Sequence, residues 1–185
     1  MDDAQIIELF FARSESAISE LDAKYGRLCH RLADNILRSA QDAEECVNDA
    51  YLSAWNAIPP QRPESLAAYV GTLVRRGSIT RYRANTAMKR NSHYDVCMEE
   101  LESSLAAPGR AEDPCEAKEL AAAIEGFLDT LTKENRVIFM RRYWYADSLA
   151  DIAALLGLTE NGVSIRLTRT RRQLKTYLAE QGVLA

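Results

Sequence analysis

Between residues 166 and 175 the chain carries Arg166, Arg169, Arg171, Arg172 and Lys175 with no acid among them, and between residues 75 and 94 it carries Arg75, Arg76, Arg81, Arg83, Lys89 and Arg90, again with none. Cations at that density repel one another, and contact with a polyanion such as a phosphate backbone offsets the repulsion. The rest of the chain is acidic. From Met1 to Pro60 acids outnumber bases about two to one, Asp95 to Glu119 is acidic again, and the formal net charge is -4. The order acidic, basic, acidic, basic suits a protein that grips two stretches of nucleic acid. Two well-solvated helix faces are the alternative reading of the same charge.

Bond-making chemistry has no comparable candidate. Cys29, Cys46, Cys97 and Cys115 form no C-x-x-C pair, and His30 and His93 lie far apart, so neither a zinc ribbon nor a dense disulfide framework is expected. Cys29 and His30 are adjacent, but neighbouring residues on a helix point about 100° apart and chelate poorly. No phosphate-binding loop or Cys/His/acid constellation is present. The reading is no enzyme, no metal, no cofactor and reduced thiols.

The elements that must position the second basic run are legible around Ser148–Leu167. Ser148 with Asp151 three residues on resembles a capping box opening a short helix, whose Leu149, Ile152, Ala153 and Leu156 face one way. Gly157 permits a tight turn, and Thr159 can cap a second helix with Val163, Leu167, Thr170, Leu174 and Leu178 on one stripe. Two short helices joined by a glycine turn, the second basic on its outer face, make a helix-turn-helix able to enter a major groove. Glu160, Asn161 and Ser164 are short polar groups suited to base edges, while Arg166, Arg169, Arg171, Arg172 and Lys175 suit phosphates. A plain helical hairpin with solvated caps is the competing reading.

Helical spacing runs through Ile6, Leu9, Phe10, Ile18, Leu21, Tyr25, Leu28, Leu32, Ile36, Val47 and Tyr51. Pro59, Pro60 and Pro63 interrupt it, and a new helix is predicted to start near Pro63 or Ser65 and to run into the first basic block. From about Asn85 to Pro114 the periodicity fades and Ser, Ala, Gly, Pro and acids accumulate, as in a flexible connector. The predicted architecture is all-α: a helical domain over 1–90, an acidic linker over 91–116 and a helix-turn-helix domain over 117–185. Apolar runs are far shorter than the ~20 residues of a membrane span, and the acidic N-terminus lacks the order of a secretory signal. A cytoplasmic protein without membrane insertion is expected.

Asp42, Glu45 and Asp49 are spaced three and four, lining one helix ridge with like charge at a cost of roughly 0.2–0.5 kcal/mol per pair. A basic partner would offset that cost; a solubilising face is the plainer account. The helix from about Leu66 to Ala84 mixes Tyr69 and Tyr82 with Arg75, Arg76, Arg81 and Arg83. Rings among cations suit single-stranded DNA, whose bases stack while its backbone is held electrostatically. On spacing alone Tyr69 fits a core position equally well.

The stretch Asp42-Ala-Glu-Glu-x-Val-x-Asp-Ala-Tyr-x-x-Ala-Trp55 resembles region 2.2 of the extracytoplasmic-function sigma factors of bacterial RNA polymerase. Leu149-Ala-Asp-Ile-Ala-x-Leu-Leu-Gly157 with Val163-x-x-Arg-Leu-x-Arg-x-Arg171 resembles their region 4, and the order of the motifs spans nearly the whole chain. The resemblance implies that Asp42, Glu45 and Asp49 dock on the β′ clamp of the polymerase core, with the β flap as a second contact. It implies that the Ile58–Ser65 loop and the helix bearing Tyr69, Arg75, Arg76, Thr80, Arg81, Tyr82 and Arg83 open the -10 promoter element. The terminal domain would read the -35 element as duplex, and an anti-sigma protein is a further candidate partner. Tyr69 stands where the family usually has Trp, and Arg76 and Thr80 align with positions that are usually Asn and Asp. Two other functions fit the residues: a helix-turn-helix regulator acting without polymerase, and a helical protein-interaction module. Association with core polymerase separates the first from a sigma factor, and duplex DNA binding separates the second.

Overall fold

In the computed structural model, which describes residues 1–85, 93–105 and 114–183, the described residues form nine helices and no strand. The predicted all-α class is the class observed. The chain divides into two compact units, Met1–Ser92 and His93–Ala185. No described helix is long and apolar enough to cross a membrane. Lys89 and Arg90 of the first basic run lie outside the described residues, as does the expected boundary after residue 90.

The first unit contains α1 (Asp3–Phe11), α2 (Ser16–Leu37), α3 (Ala40–Ala57) and α4 (Leu66–Asn85). A capping box opens α1: the Gln5 amide donates to Asp2 Oδ1 at 2.8 Å, and the Asp2 amide donates to Gln5 Oε1 at 3.0 Å. Ser39 caps α3, accepting from the Asp42 amide. After the prolines, Ser65 Oγ accepts from the Ala68 amide at 3.3 Å, so α4 starts where the Ser65 signal placed it. Helices α2, α3 and α4 pack pairwise around Leu21, Leu32, Ile36, Val47, Val70 and Val74, while α1 adds Ile6 and Phe10. Each such side chain, fully buried, contributes roughly 1.5–3 kcal/mol.

The second unit contains α5 (His93–Leu105), α6 (Pro114–Thr130), α7 (Lys133–Tyr143), α8 (Leu149–Leu156) and α9 (Glu160–Glu180). Its core joins Phe127, Ile138, Phe139, Ile152, Val163, Leu167, Leu174 and Leu178. Phe127 meets Phe139 edge-on at 6.2 Å, and Phe139 meets Tyr143 at 4.7 Å.

Helix α5 falls inside the stretch read from sequence as a linker. It packs on α7 and α9, buries Cys97 completely and lays Met98, Leu101 and Leu105 against the core of the second unit. Residues 93–105 are therefore part of that unit, and 106–113 lie outside the described residues. Charge holds α5 in place as well. Glu100 accepts from Arg142 Nε at 3.0 Å and pairs with Arg171, whose side chains keep only 7% and 12% of their exposure. Arg142 also donates to the Asp147 carbonyl at 3.0 Å, and the fully buried Asp147 carboxylate pairs with Arg141 at 3.1 Å, fixing the turn that leads into α8.

Removing one partner from such a network strands the others without compensation. Glu100→Ala is expected to cost about 2–4 kcal/mol of unfolding free energy in urea titrations, whereas Glu99→Ala, on an exposed neighbour, should change it by less than about 0.5 kcal/mol.

Candidate nucleic-acid interface

Helices α8 and α9 are set by their caps. The Asp151 amide donates to Ser148 Oγ at 3.1 Å, and that hydroxyl donates in turn to the Asp151 carboxylate at 2.7 Å. Gly157 closes α8 with φ 65°, the left-handed region that penalises any side chain, and Thr159 Oγ1 accepts from the Gly162 amide at 3.1 Å to open α9. Val163, Leu167, Thr170, Leu174 and Leu178 are all buried, so the predicted stripe faces the core.

That stripe sorts the polar candidates on α9. Glu160, Asn161, Arg169, Arg172 and Lys175 are exposed, and Ser164 is half-buried. Arg166 leans to the flank, where Nη1 bonds Glu134 at 2.8 Å and approaches Asn135 at 3.5 Å. Arg171 corrects the expectation of a uniform phosphate-binding run. It points inward to Glu100 and donates to the Tyr143 hydroxyl at 2.7 Å, so it holds α5 and α7 to α9. Burial pushes the Tyr143 phenol up to about 12. At neutral pH its hydroxyl keeps its proton and accepts from Arg171.

On α4 the same sorting applies. With about 100° per residue, Tyr69, Arg76, Thr80 and Arg83 fall on one stripe within about 60°. Arg76, Thr80 and Arg83 are exposed, and Tyr69 is half-buried with its hydroxyl donating to Gln61 Oε1 at 2.9 Å. Burial raises the Tyr69 phenol above its ordinary value. Arg75 and Tyr82 are half-buried on one flank. Arg81 lies on the other, facing α3.

Arg81 meets the acidic ridge. Its Nε donates to Asp42 Oδ1 at 2.8 Å, and its Nη2 pairs with Glu45 Oε2 at 2.6 Å. Asn85 adds a bond to Asp42 Oδ2 at 3.2 Å. The hydrogen bond to Glu45 is the chief reason the guanidinium sits above its ordinary pKa. From the sequence this ridge fits either a basic partner or a solubilising face; in the structure Arg81 of the chain itself offsets part of its like-charge cost. Asp49, farther along α3, is exposed and edges a groove of about 460 Å³ with Arg76, Thr80 and Arg81, above Cys46 and Ala50.

Three cysteines among the described residues are closed to solvent. Cys29, Cys46 and Cys97 are buried thiols outside any disulfide, and burial pushes Cys29 up to about 11, far from a reactive thiolate. Among the described residues no group of three or more His, Cys, Asp or Glu side chains could hold a metal ion.

Two family models match the chain: Sigma-70 region 2 over residues 21–88, and Sigma-70, region 4 over residues 121–174. The first covers α3 and α4, and the second covers α7, α8 and most of α9. The chain belongs to the extracytoplasmic-function sigma factors. Among its relatives is the ECF RNA polymerase sigma factor SigM of Mycobacterium tuberculosis, 25% identical over 177 residues, which are 95% of this chain and 84% of SigM. The probable RNA polymerase sigma factor RfaY of Xanthomonas campestris is 26% identical over 152 residues, 79% of this chain and 36% of RfaY. As a sigma factor the chain directs RNA polymerase to promoters, which makes the polymerase core and promoter DNA its partners.

Sequence reasoning missed Glu100, Arg142 and Asp147, the charges that fix α5, α7 and the entry to α8 of this sigma factor. Their contacts span up to 71 residues of sequence, beyond any local pattern. Arg169→Ala and Arg172→Ala should each weaken holoenzyme binding to promoter duplex and reduce the slope of log affinity against log salt by about 0.9. Arg171→Ala should instead lower the unfolding free energy by about 2–4 kcal/mol and leave that slope unchanged; anisotropy titrations across salt and urea melts measure the two effects.

Proposed function

We propose that this sigma factor grips a promoter through two exposed cationic helix faces while its acidic α3 ridge docks on core polymerase. The outward face of α9 enters the major groove of the -35 duplex, with Asn161 on that face near base edges, Glu160 and Ser164 reaching them from its N-terminal rim, and Arg169, Arg172 and Lys175 on phosphates. Arg166 reaches a flanking phosphate when it leaves Glu134. The α4 stripe of Tyr69, Arg76, Thr80 and Arg83, flanked by Arg75 and Tyr82, holds the melted -10 strand, with rings for stacking and guanidinium groups for the backbone. Asp42, Glu45 and Asp49 meet the β′ clamp, and Arg81 exchanges between these acids and DNA. The second unit contacts the β flap, and an anti-sigma protein would compete for the same surfaces. The protein acts in the cytoplasm and catalyses no bond chemistry of its own.

The observation that carries this reading is the opposition on α9 of a buried stripe, apolar but for Thr170, and an exposed face bearing Asn161, Arg169 and Arg172. A helix so divided presents its charge outward from a rigid base.

Run-off transcription with purified core polymerase on genomic fragments tests the activity. Transcripts are expected only when this chain is added, starting at discrete sites. Asp49→Arg should reduce core binding by about tenfold or more, given one carboxylate replaced by a like charge on the proposed partner surface. The same variant should leave the unfolding midpoint unchanged, because Asp49 is exposed. Unchanged core affinity would remove the α3 assignment.

A further inference from the structure

Ile165 is 44% exposed on α9, one of few large apolar side chains among the described residues left so open. Its azimuth is what singles it out. Counting about 100° per residue, it lies about 160° from Val163 and Leu167 and about 180° from Leu174, at the centre of the outward face. Asn161 and Arg169 flank it at about 40° and Arg172 at about 20°, and all three are exposed. An aliphatic group amid cations gains nothing from water, and a β-branched side chain on a helix is held in essentially one rotamer.

We infer that Ile165 reads the 5-methyl group of a thymine in the major groove of the upstream promoter duplex. The inference rests on the reading of α9 as the helix that enters duplex DNA. The thymine methyl is the one apolar feature that base edges display in that groove, and aliphatic side chains are its natural partners. Asn161 and Arg169, one turn before and after Ile165, are placed to hold neighbouring base edges and phosphates, so the isoleucine is carried to the groove floor by contacts on both sides. The positive surroundings favour DNA over an apolar protein surface as the occupant, since such a surface would have to desolvate Arg169 and Arg172.

The test begins with selection of duplexes from a randomised pool by holoenzyme assembled with the full chain. Each thymine of the selected upstream element is then replaced by deoxyuridine, which removes only the methyl group. At one position the replacement should weaken wild-type binding about fourfold, the ratio that ~0.8 kcal/mol of methyl burial corresponds to. Ile165→Ala should bind the thymine duplex several-fold more weakly and lose the thymine-over-uracil ratio at that position, and Ile165→Val should retain part of it. Because Ile165 is exposed, each variant should keep the wild-type urea midpoint.

A thymine-over-uracil ratio that survives Ile165→Ala, or no methyl effect at any position of a selected element, overturns the inference while leaving the reading of α9 intact. Failure to select any upstream element, with Arg169→Ala and Arg172→Ala equally without effect, overturns both. An Ile165→Ala variant normal on DNA but impaired in core binding also overturns it and assigns the residue to a protein contact.

Discussion

Val163, Leu167, Thr170, Leu174 and Leu178 are buried together, and because a helix is rigid about its own axis, pinning that stripe fixes the azimuth of every other side chain on α9. Arg169, Arg172 and Asn161 face outward because they lie opposite the stripe, and Arg171 faces inward because it does not. The stripe in turn depends on what covers it: Phe127 and Phe139 in the core, α8 entered through the Ser148 cap, and α5 held down by Glu100. A change that loosens this packing would let the cationic face rotate, and the helix would lose direction before it lost charge. The same logic holds for α4, where burial of Val70, Val74 and Ser78 turns Tyr69, Arg76, Thr80 and Arg83 outward.

The net charge of -4 is compatible with DNA binding because many of the acids serve as internal counterions. Glu100 is shared by Arg142 and Arg171, Asp42 and Glu45 engage Arg81, and Glu134 engages Arg166. These pairs differ in what they contribute. Arg142 and Arg171 are nearly closed to solvent, so their pairing is structural. Arg81 and Arg166 keep about a third of their exposure, and solvent-screened pairs of that kind contribute little to stability. They can therefore be exchanged for a phosphate at little cost. The free protein thus screens its cations without locking them.

Local periodicity made the helices, the α8–α9 turn and its caps legible, because Ser148, Gly157 and Thr159 act on backbone groups within three or four residues. Azimuth on α9 was legible for the same reason. The partners of individual charges were not. Arg171 and Arg169 are the same residue type in one basic run; azimuth puts Arg171 about 60° and Arg169 about 140° from the centre of the buried stripe, and the partner that makes Arg171 structural, Glu100, lies 71 residues away. Helix α5 was overlooked although Tyr94, Cys97, Met98, Leu101 and Leu105 recur at helical spacing, since the acids and the fading pattern on either side of it masked the signal. Arg81 was read with the DNA-facing cations because its azimuth relative to α3 depends on how α3 and α4 pack.

Photo-crosslinking from helix positions beside the two cationic faces is the most direct test of the central claim. A benzophenone side chain introduced in place of Gln173 on α9 should crosslink, in the transcribing holoenzyme, to an upstream duplex tract, and one in place of Ala84 on α4 to a separate tract of unpaired strand near the start site. The same probe in place of Glu125, exposed on α6, should leave DNA unlabelled. Labelling of a single common tract from Gln173 and Ala84, or labelling from Glu125 as strong as from either, would contradict the assignment of these faces to DNA.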